Sequence, residues 1–561
     1  MGLTALTVVA LESQIAAESA EIPFRDVTSE SGIDFEHDNG ARGKKLLPEA
    51  YGSGVLVFDF DRDGAVDLLF VNGAAWNDDD EERSVSPALE LYVNDGSGRF
   101  TETEAFEDLP MRLHGMGAST ADFDQDGWTD LYVTCVGPNL LFRNHEGLHF
   151  EDWTERAGVS GGTDEWSTSS CWFDLENDGD ADLFVANYVD WSPETDGRLD
   201  CRLDGGPRAY CHPEFFGGTH PRMYRNDGEG RFADVSAETG VRVSSRDSDL
   251  PVGRSLSATA ADVNADGWAD VLVSNDGGRN LLLLNNRSGG FDEVGIDWGI
   301  AFDDAGRSRR ATGIDAGVFR DDGSLQVLLG GVAHHPSRIY RRLSGRMLFT
   351  EDSVVTGVAP QTQTAFTFGA VFIDADLDGR LDILTVNGHV ESEIDVLQPA
   401  QTYRQSPLLL WNSGRRNTRE FVRLSDEQCR DLMDPLVGRG AAFADFDADG
   451  DLDLVLTANG GRARLLRNEQ TTGHHWLRVK LEGTRCHADA IGARVSIESG
   501  GRTLVRQVRP VRGYLSQSEA TVTFGLGGED DVARLRVDWP GGGATELTDV
   551  SVDTTIVITQ E

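Results

Sequence analysis

DFDQDGWTD, residues 122–130, places carboxylates at its first, third, fifth and ninth positions and glycine at its sixth. The same string recurs, with small changes, as DFDRDGAVD (59–67), DLENDGDAD (174–182), DVNADGWAD (262–270), DADLDGRLD (374–382) and DFDADGDLD (445–453). Six copies at one spacing are a repeat, and a repeat of this period implies an array of similar structural units. Asp and Gly favour tight turns by themselves, so the bland reading is a series of acidic β-turns. Carboxylates at alternate positions of a short loop do more than turn the chain. They can point at one centre, the glycine permits the sharp bend, and the ninth residue returns from the other side. That oxygen-rich set suits Ca²⁺, which takes six to eight oxygens at flexible geometry. No His or Cys occupies a ligand slot, which disfavours transition metals.

The expected ligands are Asp59, Asp61, Asp63 and Asp67; Asp122, Asp124, Asp126 and Asp130; Asp174, Glu176, Asp178 and Asp182; Asp262, Asn264, Asp266 and Asp270; Asp374, Asp376, Asp378 and Asp382; and Asp445, Asp447, Asp449 and Asp453. The cofactor expected is therefore Ca²⁺, at about six sites. Glu176, with its longer arm, weakens the third of them, and Asn264 removes one charge from the fourth. Formal net charge is -45, from 95 acidic and 50 basic residues. Such acidity excludes phosphate-driven nucleic-acid binding and docking on anionic lipid. Six divalent cations would relieve much of the repulsion, so folding is expected to depend on metal.

Apolar strands flank each loop, as VLVF and LLFV do in the first copy. A second phrase, FRDVTSESGI at 24–33, returns as FEDWTERAGV, FADVSAETGV, FDEVGIDWGI and FTEDSVVTGV, the later copies following a strand and an Asn/Gly turn. One unit is strand, acidic loop, strand, connection, strand, turn, strand, repeated at intervals of roughly 50–90 residues. Four antiparallel strands per unit describe a β-propeller blade. A seventh unit, GIDAGVFRDDGSLQVLLGG (313–331), aligns Val318, Arg320, Asp322 and Gln326 with the four ligand positions. It reads as a blade that kept its fold and lost its metal. The last unit lacks its own Phe-x-Asp-Val strand, so the amino-terminal FRDV is expected to complete it and close the ring.

From His474 the texture changes to short alternating strands between glycine turns (HHWLRVKLEG, IGARVSIESGG, ATVTFGLGG, ARLRVDWPGGG), a pattern of a β-sandwich. The fold expected is all-β: a seven-bladed, integrin-α-like β-propeller over 22–470 and a sandwich-like β-domain over 471–561, after a tail at 1–21. In that tail an apolar run over 3–11 is cut short by Glu12, the remnant of a secretory signal or a frayed terminus. No stretch of 18 or more apolar residues exists to span a membrane. Among six cysteines there is no CxxC pair, and Cys201 and Cys211 bracket a loop that a local disulfide can close in an oxidising compartment.

The repeats resemble FG-GAP/VCBS repeats, the calcium-loop blades of integrin α-chain propellers. HHWLRVKLEGT, DAIGARVSI, RGYLSQSEATVTFGLG and VDWPGG resemble the ASPIC/UnbV domain. From Phe24 onward the combination is similar to the cartilage acidic protein 1 family and its bacterial relatives. The resemblance implies a secreted, periplasmic or cell-surface calcium-binding scaffold that contacts an extracellular protein or a glycan in adhesion, without catalysis. No Arg-Gly-Asp tripeptide is present, which leaves integrin-type ligand recognition unsupported. The alternative is a calcium-dependent, polysaccharide lyase-like enzyme, which needs a base or a carboxylate pair outside the loops. His334, His335, Arg309 and Arg310 in the metal-free unit, and His474 and His475, are the candidates for it. The aromatic-rich excursion over 190–221 is the candidate for partner contact.

Overall fold

Blade two shows how the repeat folds. In the computed structural model, which describes residues 20–74, 76, 87–106, 113–245, 248–320, 323–343, 345–416 and 419–561, strands His114–Ala121 and Asp130–Val136 form a hairpin around the acidic loop. Ala121 faces Asp130 across that hairpin. Leu140–His145 and His149–Asp152 complete an antiparallel sheet of four. Every residue of the first strand is buried, whereas the fourth buries only Phe150. The gradient follows from position. First strands converge on an axis and are packed on both faces, so they are rich in Gly, Ala, Ser and Thr; fourth strands line the rim.

Seven such sheets occur, with first strands Val55–Phe58, His114–Ala121, Ser167–Phe173, Ser255–Ala261, Ile314–Gly317, Thr367–Ile373 and Gly438–Ala444. These strands pack on one another in sequence around a closed ring. The fourth strand of blade seven is Phe24–Asp26, which pairs with Arg464–Asn468 and brings the two ends of the ring into one sheet. The fold is an all-β, seven-bladed propeller. The expected tail lies almost wholly outside the described residues.

The carboxy-terminal strands form two further sheets. One joins His475–Glu482 to Val522–Gly527 and, in parallel, to Thr554–Thr559; the other has the order Arg502–Gln507, Arg494–Ser499, Val532–Asp538, Ala544–Val550. Leu477, Val479, Ile497, Phe524, Leu535 and Val537 fill the space between them. This β-sandwich lies against the ring face that carries the acidic loops. Its Arg478 pairs with Asp445 at 2.6 Å, and its Gln507 side chain donates to the Asp262 carbonyl at 3.0 Å.

One carboxy-terminal stretch departs from the expectation. Residues 509–519, RPVRGYLSQSE, join neither carboxy-terminal sheet and run into the middle of the ring. Gly513 exchanges backbone hydrogen bonds with Ile314 of blade five, and Ser516–Gln517 pair in parallel with Val55 and Leu56 of blade one. The Val511 carbonyl accepts from Thr259 of blade four, the Gln517 side chain accepts from the Thr120 N–H of blade two, and Ser518 Oγ accepts from the Phe443 N–H of blade seven. Tyr514, wholly buried, packs edge-on against Phe368 of blade six and donates its hydroxyl to the Tyr51 carbonyl at 2.7 Å. Each first strand presents an unpaired edge to the axis, and buried N–H and C=O groups need partners. The inserted segment supplies them. Gly54 makes the room, since a Cβ there would meet the Leu515 carbonyl oxygen at 2.7 Å.

Beyond Tyr514, the opposite face is closed by the connections between second and third strands. The blade-three excursion folds inward: Trp191, Cys211 and Phe216 are buried against Tyr51, Trp166 and Tyr188, and Cys201 and Cys211 are joined by a disulfide. Of the aromatic residues expected to meet a partner there, only Phe215 stands well out, 64% exposed. A charged insertion in blade one, WNDDDEERSVS at 76–86, lies outside the described residues beyond Trp76. Replacing Tyr514 by Ala should destabilise the protein by about 3–5 kcal/mol in urea denaturation with calcium present. Tyr514→Phe should cost about 1 kcal/mol, and the exposed Glu546→Ala almost nothing. A Tyr514→Ala variant as stable as Glu546→Ala would contradict the anchoring role.

Candidate metal centre

Each acidic loop is built by the same backbone turn. Its fourth residue adopts a left-handed conformation (Arg62, Gln125, Asn177, Ala265, Leu377 and Ala448, φ between 56° and 62°), and the sixth is a glycine with φ from 82° to 101°. That glycine is required, because other residues reach such a φ only with strain. In blade two, Asp122 accepts hydrogen bonds from the N–H groups of Asp126 at 3.1 Å and Gly127 at 2.9 Å, and Asp126 accepts from Trp128 at 2.9 Å. The first and fifth carboxylates are thereby drawn to the inside of the turn.

The ninth residue is the most buried member. Asp130 accepts from Phe123 N–H through Oδ2 at 3.1 Å and from Asn144 N–H through Oδ1 at 2.8 Å. Asp67, Asp182, Asp270, Asp382 and Asp453 repeat the pattern with Asn94, Asn226, Asn285, Asn412 and Asn468. The asparagine side chains then reach across to the preceding blade. Asn144 donates to the Phe60 carbonyl, Asn226 to Phe123, Asn285 to Leu175, Asn94 to Phe446 and Asn468 to Ala375, all at 2.8–3.0 Å. In the sequence these asparagines look like ordinary turn residues. The signal was the recurring Asn that ends LYVN, LFRN, MYRN, LLLN, LLWN and LLRN.

In four loops the structure gathers three carboxylates with ligand atoms within 4.8 Å of one another: Asp59, Asp61 and Asp67; Asp122, Asp124 and Asp130; Asp374, Asp376 and Asp378; Asp445, Asp447 and Asp449. The remaining expected ligands of these loops, Asp63, Asp126, Asp382 and Asp453, belong to the same turns. The blade-three and blade-four loops keep the turn but show no such trio among the described residues. Glu176 leans toward Arg225 at 3.5 Å, and the Asn264 amide donates to Asp266 at 2.8 Å.

The donor set fits a hard cation. Asp59 Oδ1, Glu176 Oε2, Asp376 Oδ1 and Asp447 Oδ1 are buried without a hydrogen-bond partner, all of them on first or third positions. Leaving such oxygens unpaired costs about 1–3 kcal/mol each or more. Burial pushes Asp67 and Asp122 up to about 7, with neighbouring loop carboxylates adding to the rise. Asp130, Asp182, Asp270, Asp382 and Asp453 are pushed well above the usual carboxylate range for the same reasons. Mutually repelling buried carboxylates call for a counter-charge. Basic side chains supply part of it: Arg143 meets Asp124 and Asp126 at 2.5 Å, Arg287 meets Asp266 at 2.6 Å and Lys480 meets Asp59 at 3.5 Å.

Blade five shows the same frame without the acids. Gln326 takes the ninth position and its Oε1 accepts from Phe319 N–H at 3.1 Å, reproducing the neutral part of the aspartate's work. Arg320, at the third position, pairs with Glu420 at 2.5 Å. Asp322 lies outside the described residues.

The residues considered for catalysis are otherwise engaged. Arg309 pairs with Asp303 at 2.7 Å, Arg310 with Asp276 at 2.5 Å and His475 with Asp553 at 2.7 Å, while His474 meets the Asp376 carbonyl at 2.6 Å. His335 Nδ1 is buried without a partner, and no carboxylate lies within ion-pair reach of His335 among the described residues.

Comparison with known proteins agrees with this architecture. Residues 59–133 and 122–185 match the FG-GAP-like repeat, and residues 483–561 match ASPIC and UnbV. Cartilage acidic protein 1 of Mus musculus is 26% identical over 536 residues, covering 89% of this chain and 73% of that protein; the Homo sapiens protein is 25% identical over 529 residues, covering 89% and 71%. In three dimensions an Agrocybe aegerita lectin, described as recognising non-reducing terminal N-acetylglucosamine, is similar at a TM-score of 0.39 and 17% identity over 68% of this chain and 81% of its own, a likeness that carries no functional weight. The chain thus carries FG-GAP-like repeats followed by an ASPIC and UnbV segment, and over nearly its whole length it is similar to cartilage acidic protein 1.

Proposed function

We propose that this protein is a non-catalytic, calcium-stapled binding scaffold that works outside the cytoplasm and contacts a protein or a glycan. The observation that carries the reading is the division of the ring's two faces. The acidic loops lie beneath the carboxy-terminal sandwich, through Arg478 on Asp445, Lys480 on Asp59 and the Gly525 N–H on Asp374. Loops in that position serve the fold, and the opposite face, with its excursions, is left for a partner. The Cys201–Cys211 disulfide supports an oxidising compartment. Among the described residues no helix is long and apolar enough to cross a membrane. On this reading residues 22–470 form the propeller and 471–561 a domain docked on its loop face. The engaged state of Arg309, Arg310, His474 and His475 favours binding over lyase-like catalysis.

Calcium then contributes stability by mass action. At about 2 mM calcium and dissociation constants of about 10⁻⁴–10⁻³ M, each loop adds about 0.6–1.8 kcal/mol, so six add about 4–11 kcal/mol. That rivals the whole stability of a typical domain, about 5–15 kcal/mol. Chelation with EDTA should lower the melting temperature by about 4–11 °C, since a chain of this size shifts by about 1 °C per kcal/mol. An unchanged melting curve, with no calcium found by elemental analysis, would remove the calcium from the account.

The binding role is tested by screening purified protein against glycan and envelope-protein arrays with calcium and with EDTA. Calcium-dependent binding without turnover is the expected result. Bond cleavage that His335→Ala abolishes would replace the scaffold with an enzyme.

A further inference from the structure

Blade five inverts the chemistry of its neighbours. Where the third strands of the other blades carry asparagine at or next to their ends, Arg338–Arg342 ends in arginine, and the buried Nε of Arg342 has no hydrogen-bond partner among the described residues. The first loop position is Val318 and the ninth is Gln326, so the carboxylates that the other loops carry at those two positions are replaced; Asp322, at the fifth, lies outside the described residues. A cavity of about 180 Å³ opens here between blades four to seven and the carboxy-terminal segment. Arg342, Arg506 and Arg512 line it together with Val263, Phe372 and Phe443.

The arginines are unevenly matched by acids. Arg509, at the same wall, is pinned by Asp315 at 2.6 Å, and Arg506 reaches Asp374 only at 3.5 Å. Arg512 donates Nε and Nη2 to the Arg509 carbonyl, lies over the Phe443 ring at 5.1 Å, and has no carboxylate within ion-pair reach among the described residues. Arg342 has none either. The acids on the wall are engaged: Glu519 by Arg478, Asp374 by the Gly379 and Gly525 N–H groups, and Asp262 by the Asp266 and Gly267 N–H groups. In a chain of net charge -45, half-buried guanidinium groups with no carboxylate in reach among the described residues are out of keeping with their surroundings.

We propose that this cavity binds a small organic acid, its carboxylate held by Arg512 and Arg342 and its apolar body resting against Val263, Phe372 and Phe443. The planar guanidinium matches a carboxylate through paired, charge-assisted hydrogen bonds. A fully hydrated inorganic anion gains nothing from the apolar wall. Burial lowers the Arg512 guanidinium to about 10; the nearby charge of Asp315 and Glu519 opposes the fall, and that of Arg509 and Arg506 adds to it. The cavity borders the acidic loops of blades four and six, through Asp262, Val263 and Asp374, and lies apart from the partner surface.

The test uses the full-length, calcium-loaded protein and 4-fluorobenzoate, followed by ¹⁹F line broadening. Saturable broadening is expected, weakened about tenfold or more in Arg512→Gln and in Arg342→Gln, because each removes a charge-assisted contact. Arg342→Gln guards against a folding defect in the more buried Arg512 variant, and both are checked by their melting curves. Sulfate at equal concentration should displace the probe only weakly. Absence of saturation up to about 10 mM, equal affinity in wild type and both variants, or displacement by sulfate as effective as by benzoate would each overturn the assignment.

Discussion

The ninth aspartate of the acidic loop is the constraint on which the ring depends. It is buried, it starts the second strand of its blade, and its two oxygens hold the loop's second N–H and the asparagine N–H of the third strand. The asparagine then ties the blade to the loop of the blade before it. Three strands and a neighbouring blade therefore converge on one carboxylate, which burial and the other loop acids push toward protonation. A cation at the loop centre would resolve that conflict, since it would keep the aspartate ionised without loss of its hydrogen bonds.

Blade five makes the argument by exception. With Gln326 in place of the aspartate, the hydrogen bond to the second residue survives and the charge does not. A neutral residue suffices for the turn. The acids in the other six loops therefore exist for something beyond turning, and repulsion among them is the cost that a bound cation would offset. Around the ring the asparagine links join blades six, seven and one to four in one run across the closure, and the gap falls at blade five. There the carboxy-terminal segment takes over, through Gly513 on Ile314 and Arg509 on Asp315.

Much of this was legible in the residues, because the repeat is local. The spacing of Asp122, Asp124, Asp126 and Asp130 requires no knowledge of distant contacts, and neither does counting seven units. Ring closure by Phe24–Asp26 was legible because blade seven lacked a strand that the amino terminus had to spare. What escaped was long-range. RGYLSQSE has the apolar-polar texture of any short strand, and nothing in it announces pairing with Val55 or Leu56 more than four hundred residues earlier. The aromatic excursion over 190–221 was placed correctly as an insertion, but composition alone did not tell whether Trp191 and Phe216 face solvent or the ring; they face the ring. The arginines of the blade-five cavity come from the third strand of one blade and from the carboxy-terminal segment, so only the fold brings them together.

The division of labour follows from these contacts. One face of the ring is given to loops, counter-charges and the docked sandwich, and its middle to an inserted segment; the other face and the cavity are where ligands of different kinds are expected. The most direct test of the central claim is an anomalous difference map from crystals of the protein grown in calcium. The account predicts peaks at the centres of the loops at 59–67, 122–130, 174–182, 262–270, 374–382 and 445–453, weakest at the Glu176 and Asn264 loops, and none at blade five. Empty loops, or a peak of equal height beside Gln326, would contradict it.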